Sequence, residues 1–145
     1  MPATACRIRR TTDQSVLDNT DTTISFDTED FDQGNMADLV AQPTRITIAT
    51  AGIYMVGGNY AFSGNLTGDR VGKLLLNGTT IIAHADTRAL SIAANLVKLH
   101  IVTIYKFAAG DYIELVLAQS STVTLQASAQ ANYANVLWAI LLEDG

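Results

Sequence analysis

No stretch of this 145-residue sequence holds apolar residues at the 3.6-residue spacing of a helix; short β-branched and aromatic runs punctuated by Gly, Asn and Asp recur from end to end. Val, Ile, Thr and aromatic side chains suit a pleated, half-buried surface, while Gly, Asn and Asp supply the backbone geometries of turns. The pattern predicts ten strands, at 5–10, 22–26, 45–49, 52–62, 70–76, 79–84, 96–107, 112–119, 123–127 and 132–142. Asn77-Gly78 lies between two apolar runs, and both residues tolerate the positive φ of a type I′ hairpin. Ala108-Ala109-Gly110-Asp111 marks a second turn between long strands. Nothing repeats at 20 to 50 residues and no low-complexity linker interrupts the chain, so an all-β sandwich or jelly roll over 1–145 is expected. Residues 1–44 would form N-terminal strands and an acidic loop, and 45–145 the main sandwich.

The strands are not alike. In 112–119, Ile113, Leu115 and Leu117 alternate with Tyr112 and Glu114, and in 45–49 Ile46 and Ile48 alternate with Arg45 and Thr47, which leaves one face of each wet. Three other strands are apolar on both faces. Strand 132–142 sets Tyr133, Leu137, Ala139 and Leu141 against Ala134, Val136, Trp138, Ile140 and Leu142. Strand 52–62 carries Ile53, Tyr54, Met55, Val56, Tyr60 and Phe62 across both registers. In 96–107, Val97, Leu99, Ile101 and Tyr105 share one face, and Leu96, Val102 and Ile104 share the other with Lys98 and His100. A single sandwich encloses one core, so a sheet with two apolar faces needs a second cover. With no helix in the pattern, that cover is expected to be further copies of the chain, and closed symmetric homo-oligomers are the usual outcome. Singly scattered exposed apolar residues are the plainer alternative. Composition agrees with the first account: 48% of residues are apolar and 16% charged, against about 25% charged in an average soluble domain.

Charge and chemistry exclude further classes. Nine Lys and Arg against 14 Asp and Glu give a net charge of −5, with no basic footprint for nucleic acid or an anionic membrane. No run of 18 apolar residues exists, and the opening MPATACRIRR lacks the apolar stretch of an export signal, so neither membrane insertion nor signal-driven export is expected. One cysteine, Cys6, and two histidines, His84 and His100, make neither an internal disulfide nor a zinc cluster.

Four segments taken together resemble a known family. They are Ile46-Thr-Ile-Ala-Thr-Ala-Gly-Ile-Tyr-Met-Val-Gly-Gly-Asn-Tyr-Ala-Phe62, Leu74-Leu-Leu-Asn-Gly-Thr-Thr-Ile-Ile82, Ala109-Gly-Asp-Tyr-Ile-Glu-Leu115 and Leu137-Trp-Ala-Ile-Leu-Leu142. In order and spacing they are similar to the globular head of complement component one, subcomponent q, in the tumour-necrosis-factor-like superfamily. The opening Arg7-Ile-Arg-Arg-Thr-Thr and the segment Ser25-Phe-Asp-Thr-Glu-Asp-Phe-Asp32 resemble its short bacterial and bacteriophage members. The resemblance implies a ten-stranded antiparallel jelly roll assembled as a tight homotrimer. The collagen-like stalk usual in animal members is missing from this sequence, which argues against complement-like signalling.

Candidate sites follow from both readings. Tyr54, Val56, Tyr60, Phe62, Leu99, Ile101, Val102, Tyr105, Tyr133, Val136, Trp138 and Ile140 are expected in the core or the trimer interface, with the two faces not yet distinguished. Eight acids and no base lie between Thr11 and Thr44. Among them Asp27, Glu29, Asp30 and Asp32 are spaced closely enough to offer calcium several oxygens, although the run lacks the glycine and terminal glutamate of a helical calcium loop. A solvated acidic loop that keeps the assembly soluble is the plainer account of them. Arg7, Arg9 and Arg10 are candidates for pairing with these acids across a subunit boundary or for docking on an acidic capsid protein. His100 would be pH-sensitive if it faced a three-fold axis. Asp111 and Glu114 form a conceivable carboxylate pair for glycoside hydrolysis, but a Gly-Asp turn and a wet strand register explain both, so no enzyme activity is expected.

These observations lead to a non-enzymatic trimeric module on a virion, made in the host cytoplasm and acting as a bacteriophage capsid decoration protein. The alternatives are the receptor-binding tip of a tail or fibre, touching a host glycan or protein through loops 63–69, 87–95 and 120–122, and a lectin-like ligand-binding module.

Overall fold

A computed structural model describes residues 3–91, 96–130 and 134–145. Twelve strands follow one another: β1 (Ala5–Arg9), β2 (Gln14–Val16), β3 (Thr22–Thr23), β4 (Thr28–Gln33), β5 (Arg45–Thr47), β6 (Gly52–Phe62), β7 (Asp69–Leu76), β8 (Thr80–Arg88), β9 (Val97–Phe107), β10 (Tyr112–Gln119), β11 (Leu125–Ala127) and β12 (Val136–Asp144). All ten expected strands are present, and the described residues contain no helix. β2 and β4 are additions. Within the acidic segment expected as a loop, residues 28–33 form strand β4, because antiparallel pairing with β1 places Phe31 opposite Arg7 and Asp32 opposite Cys6.

Two sheets face each other. The front sheet runs β2-β11-β6-β12-β1-β4, with β9 on the other edge of β6; the back sheet runs β3-β10-β7-β8, with β5 also on β10. Among the described residues every strand pairing is antiparallel, as short turns allow. The Asn77-Gly78 turn joins β7 to β8, with both residues at positive φ. Its Asn77 side chain also donates to the Asp111 carboxylate at 2.9 Å and accepts the Tyr112 N–H at 2.9 Å, so the two hairpin turns of the sequence are clamped to each other.

The core fills the space between the sheets. From the front come Ile8, Tyr54, Val56, Tyr60, Phe62, Ile101, Phe107, Leu137 and Ala139, and from the back Leu74, Ile113, Leu115 and Leu117. Tyr60 spans the layer: its hydroxyl donates to the Ala85 carbonyl of β8 at 3.0 Å. Gly72 makes that crossing possible, since a Cβ there would lie 2.2 Å from the Tyr60 ring. Edge-on contacts of Tyr54 with Phe107, 5.8 Å between centroids, and of Tyr60 with Phe62, 6.0 Å, use the favoured geometry of aromatic pairs.

Candidate functional site

Cross-strand register turns the front sheet's outer face into a map. Residues opposite one another across antiparallel strands share a face and touch. One row reads Ile104, Met55, Ile140, Ala5, Gln33, and the next reads Val102, Gly57, Trp138, Arg7, Phe31, each crossing β9, β6, β12, β1 and β4 in turn. The Trp138 indole lies over Gly57, where a Cβ would come within 2.5 Å of it, so the ring is laid against bare backbone. Val102 is 57% exposed, Ile104 61% and Phe31 44%, and Met55, Trp138 and Ile140 are half-buried. Apart from Arg7 on β1 and Gln33 on β4, these two rows form an apolar belt across the sheet.

Polar rows border the belt. Above it lies the row His100, Asn59, Val136, Arg9, and beyond that Lys98 sits opposite Ala61. Below it Lys106 and Glu143 flank Ile53. His100 Nδ1 is 2.8 Å from the Asn59 side-chain oxygen, and since that oxygen can only accept, Nδ1 donates. The face thus has an apolar centre with a polar rim, an arrangement common at protein interfaces.

The sequence-derived residues divide between the two faces. Tyr54, Val56, Tyr60, Phe62 and Ile101 are core, and Leu99 and Tyr105 pack against the core from the same side. Val102, Trp138 and Ile140 lie on the outer belt; Val136 shares their register but is fully covered. Tyr133 lies outside the described residues. Sequence reasoning left Met55, Ile104 and Phe31 out of the site. The parity of Val102 and Ile104 within β9 marked the right side of that strand, but only the pairing between strands puts Met55 and Phe31 beside Trp138.

Arg7 and Arg9 both engage the Asp30 carboxylate, Arg9 Nε at 2.7 Å. Arg10 donates to the Ser25 and Asp13 carbonyls at 2.8 and 3.1 Å. All three basic residues are therefore engaged within their own chain. β4 does not gather Asp27, Glu29, Asp30 and Asp32 around one point. Asp30 serves the two arginines, and Asp32 accepts the N–H groups of Met36 and Ala37 at 2.9 and 3.0 Å. Burial pushes the Asp27 carboxyl pKa up, but hydrogen bonds from the Thr11 N–H and the Thr28 and Thr11 hydroxyls, with Arg10 nearby, outweigh it and hold the group below its ordinary range. Among the described residues no group of three or more His, Cys, Asp or Glu is arranged to hold a metal ion. Asp111 accepts from the Ala108 N–H and Asn77, and Glu114 accepts the Thr44 hydroxyl at 2.8 Å, both on local structural duty.

A second feature lies at one end of the sandwich, where four loops are tied together. Asn19 N–H donates to the Gln119 carbonyl at 2.8 Å, Thr122 N–H to Asp18 at 2.8 Å, Asp69 N–H to the Ser120 hydroxyl at 2.9 Å, and Ala89 N–H to the Gly68 carbonyl at 2.8 Å. The fully buried Arg70 donates to the carbonyls of Asn65, Thr67 and Asp69. Across the strand pair, Gln119 donates to the Val16 and Val123 carbonyls. Leu17, Leu66, Leu90 and Val123 stand exposed on these loops. Loops 63–69 and 120–122 and the described part of 87–95 thus meet at one end; Ile92, Ala93, Ala94 and Asn95 lie outside the described residues.

No family model matches the chain, and a search of curated proteins finds no match. Among solved structures, murine APRIL crystallised at pH 8.0 superposes with a TM-score of 0.71 at 14% identity, covering 97% of this chain and 99% of that one. Murine APRIL at pH 8.5 gives 0.70 at 13% identity with the same coverage. The globular domain of the zebrafish complement 1qA protein gives 0.64 at 10% identity, covering 97% of this chain and 98% of that one. Sheet order, register and these superpositions converge: the chain has the tumour-necrosis-factor and complement-q-head jelly-roll fold over nearly its whole length.

Proposed function

We propose that the protein is a non-enzymatic homotrimeric binding module, assembled through the outer face of its front sheet. The observation that carries this reading is the belt of Phe31, Met55, Val102, Ile104, Trp138 and Ile140, a partly exposed apolar surface drawn from β4, β6, β9 and β12 with polar residues on either side. A patch of that kind on a lone domain is a liability, and burial against another copy removes it. A specific interface of this type covers at least about 1,000 Å². Sedimentation velocity tests it directly: a species of three times the 15.5 kDa chain mass is expected, and a folded, concentration-independent monomer overturns it.

The cellular role we propose is decoration of a bacteriophage capsid, supported by the resemblance of the opening segments to short phage and bacterial members of the family. The module would act through added buried interface on the major capsid protein, without chemistry. Purified protein added to expanded capsids should bind and raise their disruption temperature. If it leaves capsids unchanged but blocks infection, it is a receptor-binding tip instead. The tied loop end, with Leu17, Leu66, Leu90 and Val123 on a frame held by Arg70 and Gln119, is the observation that favours this second reading.

A further inference from the structure

We propose that Asn77 is a self-modification site gated by the clamp between the two hairpin turns. It keeps its amide while the clamp is closed, and it deamidates, breaking the clamp irreversibly, in chains where this end of the sandwich has opened. The proposal does not depend on the trimer reading. Of the asparagines in the sequence, Asn77 alone is followed by glycine. A glycine N–H has no side chain beside it, so it is the least hindered backbone nucleophile for the preceding carboxamide, and asparagine is among the thermolabile residues. Both residues are exposed, so water reaches them. The hairpin favours the same pair that reacts: each residue holds a positive φ, and a Cβ on Gly78 would lie 3.1 Å from the Tyr112 hydroxyl.

The chemistry balances with water as the only co-reactant. The Gly78 nitrogen loses its proton and attacks Asn77 Cγ; the new C–N bond closes a five-membered imide, the Cγ–Nδ2 bond breaks, and Nδ2 leaves as ammonia with a proton taken from water. Water then opens the imide at either carbonyl, which gives aspartate or isoaspartate at position 77. Nothing is oxidised or reduced. In the folded chain the carboxamide is held on a neighbouring strand. Its Nδ2 donates to the Asp111 carboxylate and its Oδ1 accepts the Tyr112 N–H, each at 2.9 Å. The backbone is fixed as well, because the Asn77 N–H donates to the Tyr112 carbonyl at 2.9 Å and the Thr79 N–H to the Leu76 carbonyl at 3.2 Å. Closing the imide requires the side chain to leave both of its partners, one of them a charge-assisted bond. The products cannot rebuild the clamp. An ionised aspartate at 77 has no hydrogen to donate and sets a second negative charge against Asp111, and isoaspartate lengthens the turn by a backbone atom. Asp111 also accepts the Ala108 N–H at 2.8 Å, so the damage reaches the second turn.

Peptide mass spectrometry after incubation at mildly alkaline pH reads aspartate and isoaspartate at position 77 directly. Conversion in the folded wild type should be at least about tenfold slower than in the same protein held in denaturant, since both side-chain bonds must be lost before reaction. Asp111→Ala, studied where circular dichroism shows it folded, should convert several-fold faster than folded wild type. Asn77→Asp, which copies the aspartate product, should melt below wild type. Adding Asp111→Asn to it returns a donor facing a single carboxylate and should recover most of that loss. Folded and denatured wild type converting at one rate, or a folded Asp111→Ala that converts no faster than wild type, overturns the gating by the clamp. Asn77→Asp melting like wild type overturns the irreversible break. If Asp111→Ala does not fold, the comparison of folded with denatured wild type and the rescue by the paired substitution still decide the matter.

Discussion

The two faces of the front sheet are built from the same kinds of residue and meet opposite fates. Inward, β6 presents Tyr54, Val56, Tyr60 and Phe62, all sealed against the back sheet. Outward it presents Ile53, Met55, Gly57 and Asn59, which lie with Trp138, Val102 and Ile104 on an open surface. Apolar character does not distinguish the sealed face from the open one here. What distinguishes them is whether the same chain supplies the cover, and for the outer face the described residues supply none.

The largest effect that would break or sharpen this contrast is a charge placed on each face in turn. Tyr60→Asp puts a carboxylate between the sheets, removes the hydrogen bond to Ala85 and leaves a ring-sized void over Gly72. The cost, about 4 kcal/mol or more, is comparable with the whole stability of a small domain, and an unfolded protein is expected by circular dichroism. Trp138→Asp puts the same charge on the belt, where water reaches it in the free chain. A folded monomer is expected, seen as a cooperative melt together with loss of the trimer in sedimentation. If both variants unfold, the outer face is part of the fold's own core, and if Trp138→Asp remains trimeric, the seam lies elsewhere.

A methyl group probes the inner face more finely. Gly72→Ala drives a Cβ to within 2.2 Å of the Tyr60 ring, and the ring cannot retreat without giving up its bond to Ala85. Destabilisation of about 1–3 kcal/mol is expected in chemical denaturation, as for other overpacked cores. Combining it with Tyr60→Leu, which clears the ring, should make the two costs less than additive. Strict additivity would mean that the ring is not what the methyl group meets.

Cys6 reports on the same sealed layer through its chemistry. Burial, with Asp32 and Glu29 nearby, pushes its thiol from the usual 9.0 up to about 12. The folded protein thus holds this proton where the unfolded chain would release it. Its contribution to stability is complete below about pH 9 and is lost as pH rises toward 12. At pH 8 a thiol reagent should label Cys6 only after denaturant is added, and rapid labelling of the native protein would show that the space between β1 and the back sheet opens readily.

Much of this architecture could be read from the sequence because strand signals are local. Alternation within 112–119 and the turn-bounded apolar run 52–62 give the observed strands residue for residue, and Asn77-Gly78 fixes the hairpin. β4 escaped because Thr-Glu-Asp-Phe-Asp-Gln has neither β-propensity nor an apolar face; it is a strand through its pairing with β1, where Arg7 and Arg9 take up Asp30. The same limit governs the site. Parity within β9 separates Val102 and Ile104 from Ile101, but which parity faces inward depends on register across β6, β12 and β1, contacts far apart in sequence that no local pattern encodes. The buried Arg70, held by the backbone of its own loop, had no sequence signal at all, since a lone arginine in a strand normally marks a wet face.

The smallest effect concerns the ion pairs at the belt's edge. Asp30→Asn removes the negative charge shared by Arg7 and Arg9, all three side chains being partly solvent-exposed. Such pairs contribute roughly 0–1 kcal/mol to folding and are screened by salt, so the melting temperature of the variant should fall by only a few degrees, and less at high ionic strength. Its effect on assembly should be larger, because Arg7 and Arg9 stand in the rows that the proposed seam would cover and would have to be desolvated without the charge of Asp30. A trimer weakened at pH 7.5 in a protein whose melt is nearly unchanged would separate the two faces once more, by charge instead of by packing. Equal small losses in both measurements would place Arg7 and Arg9 outside the covered surface and confine the seam to β6, β9 and β12.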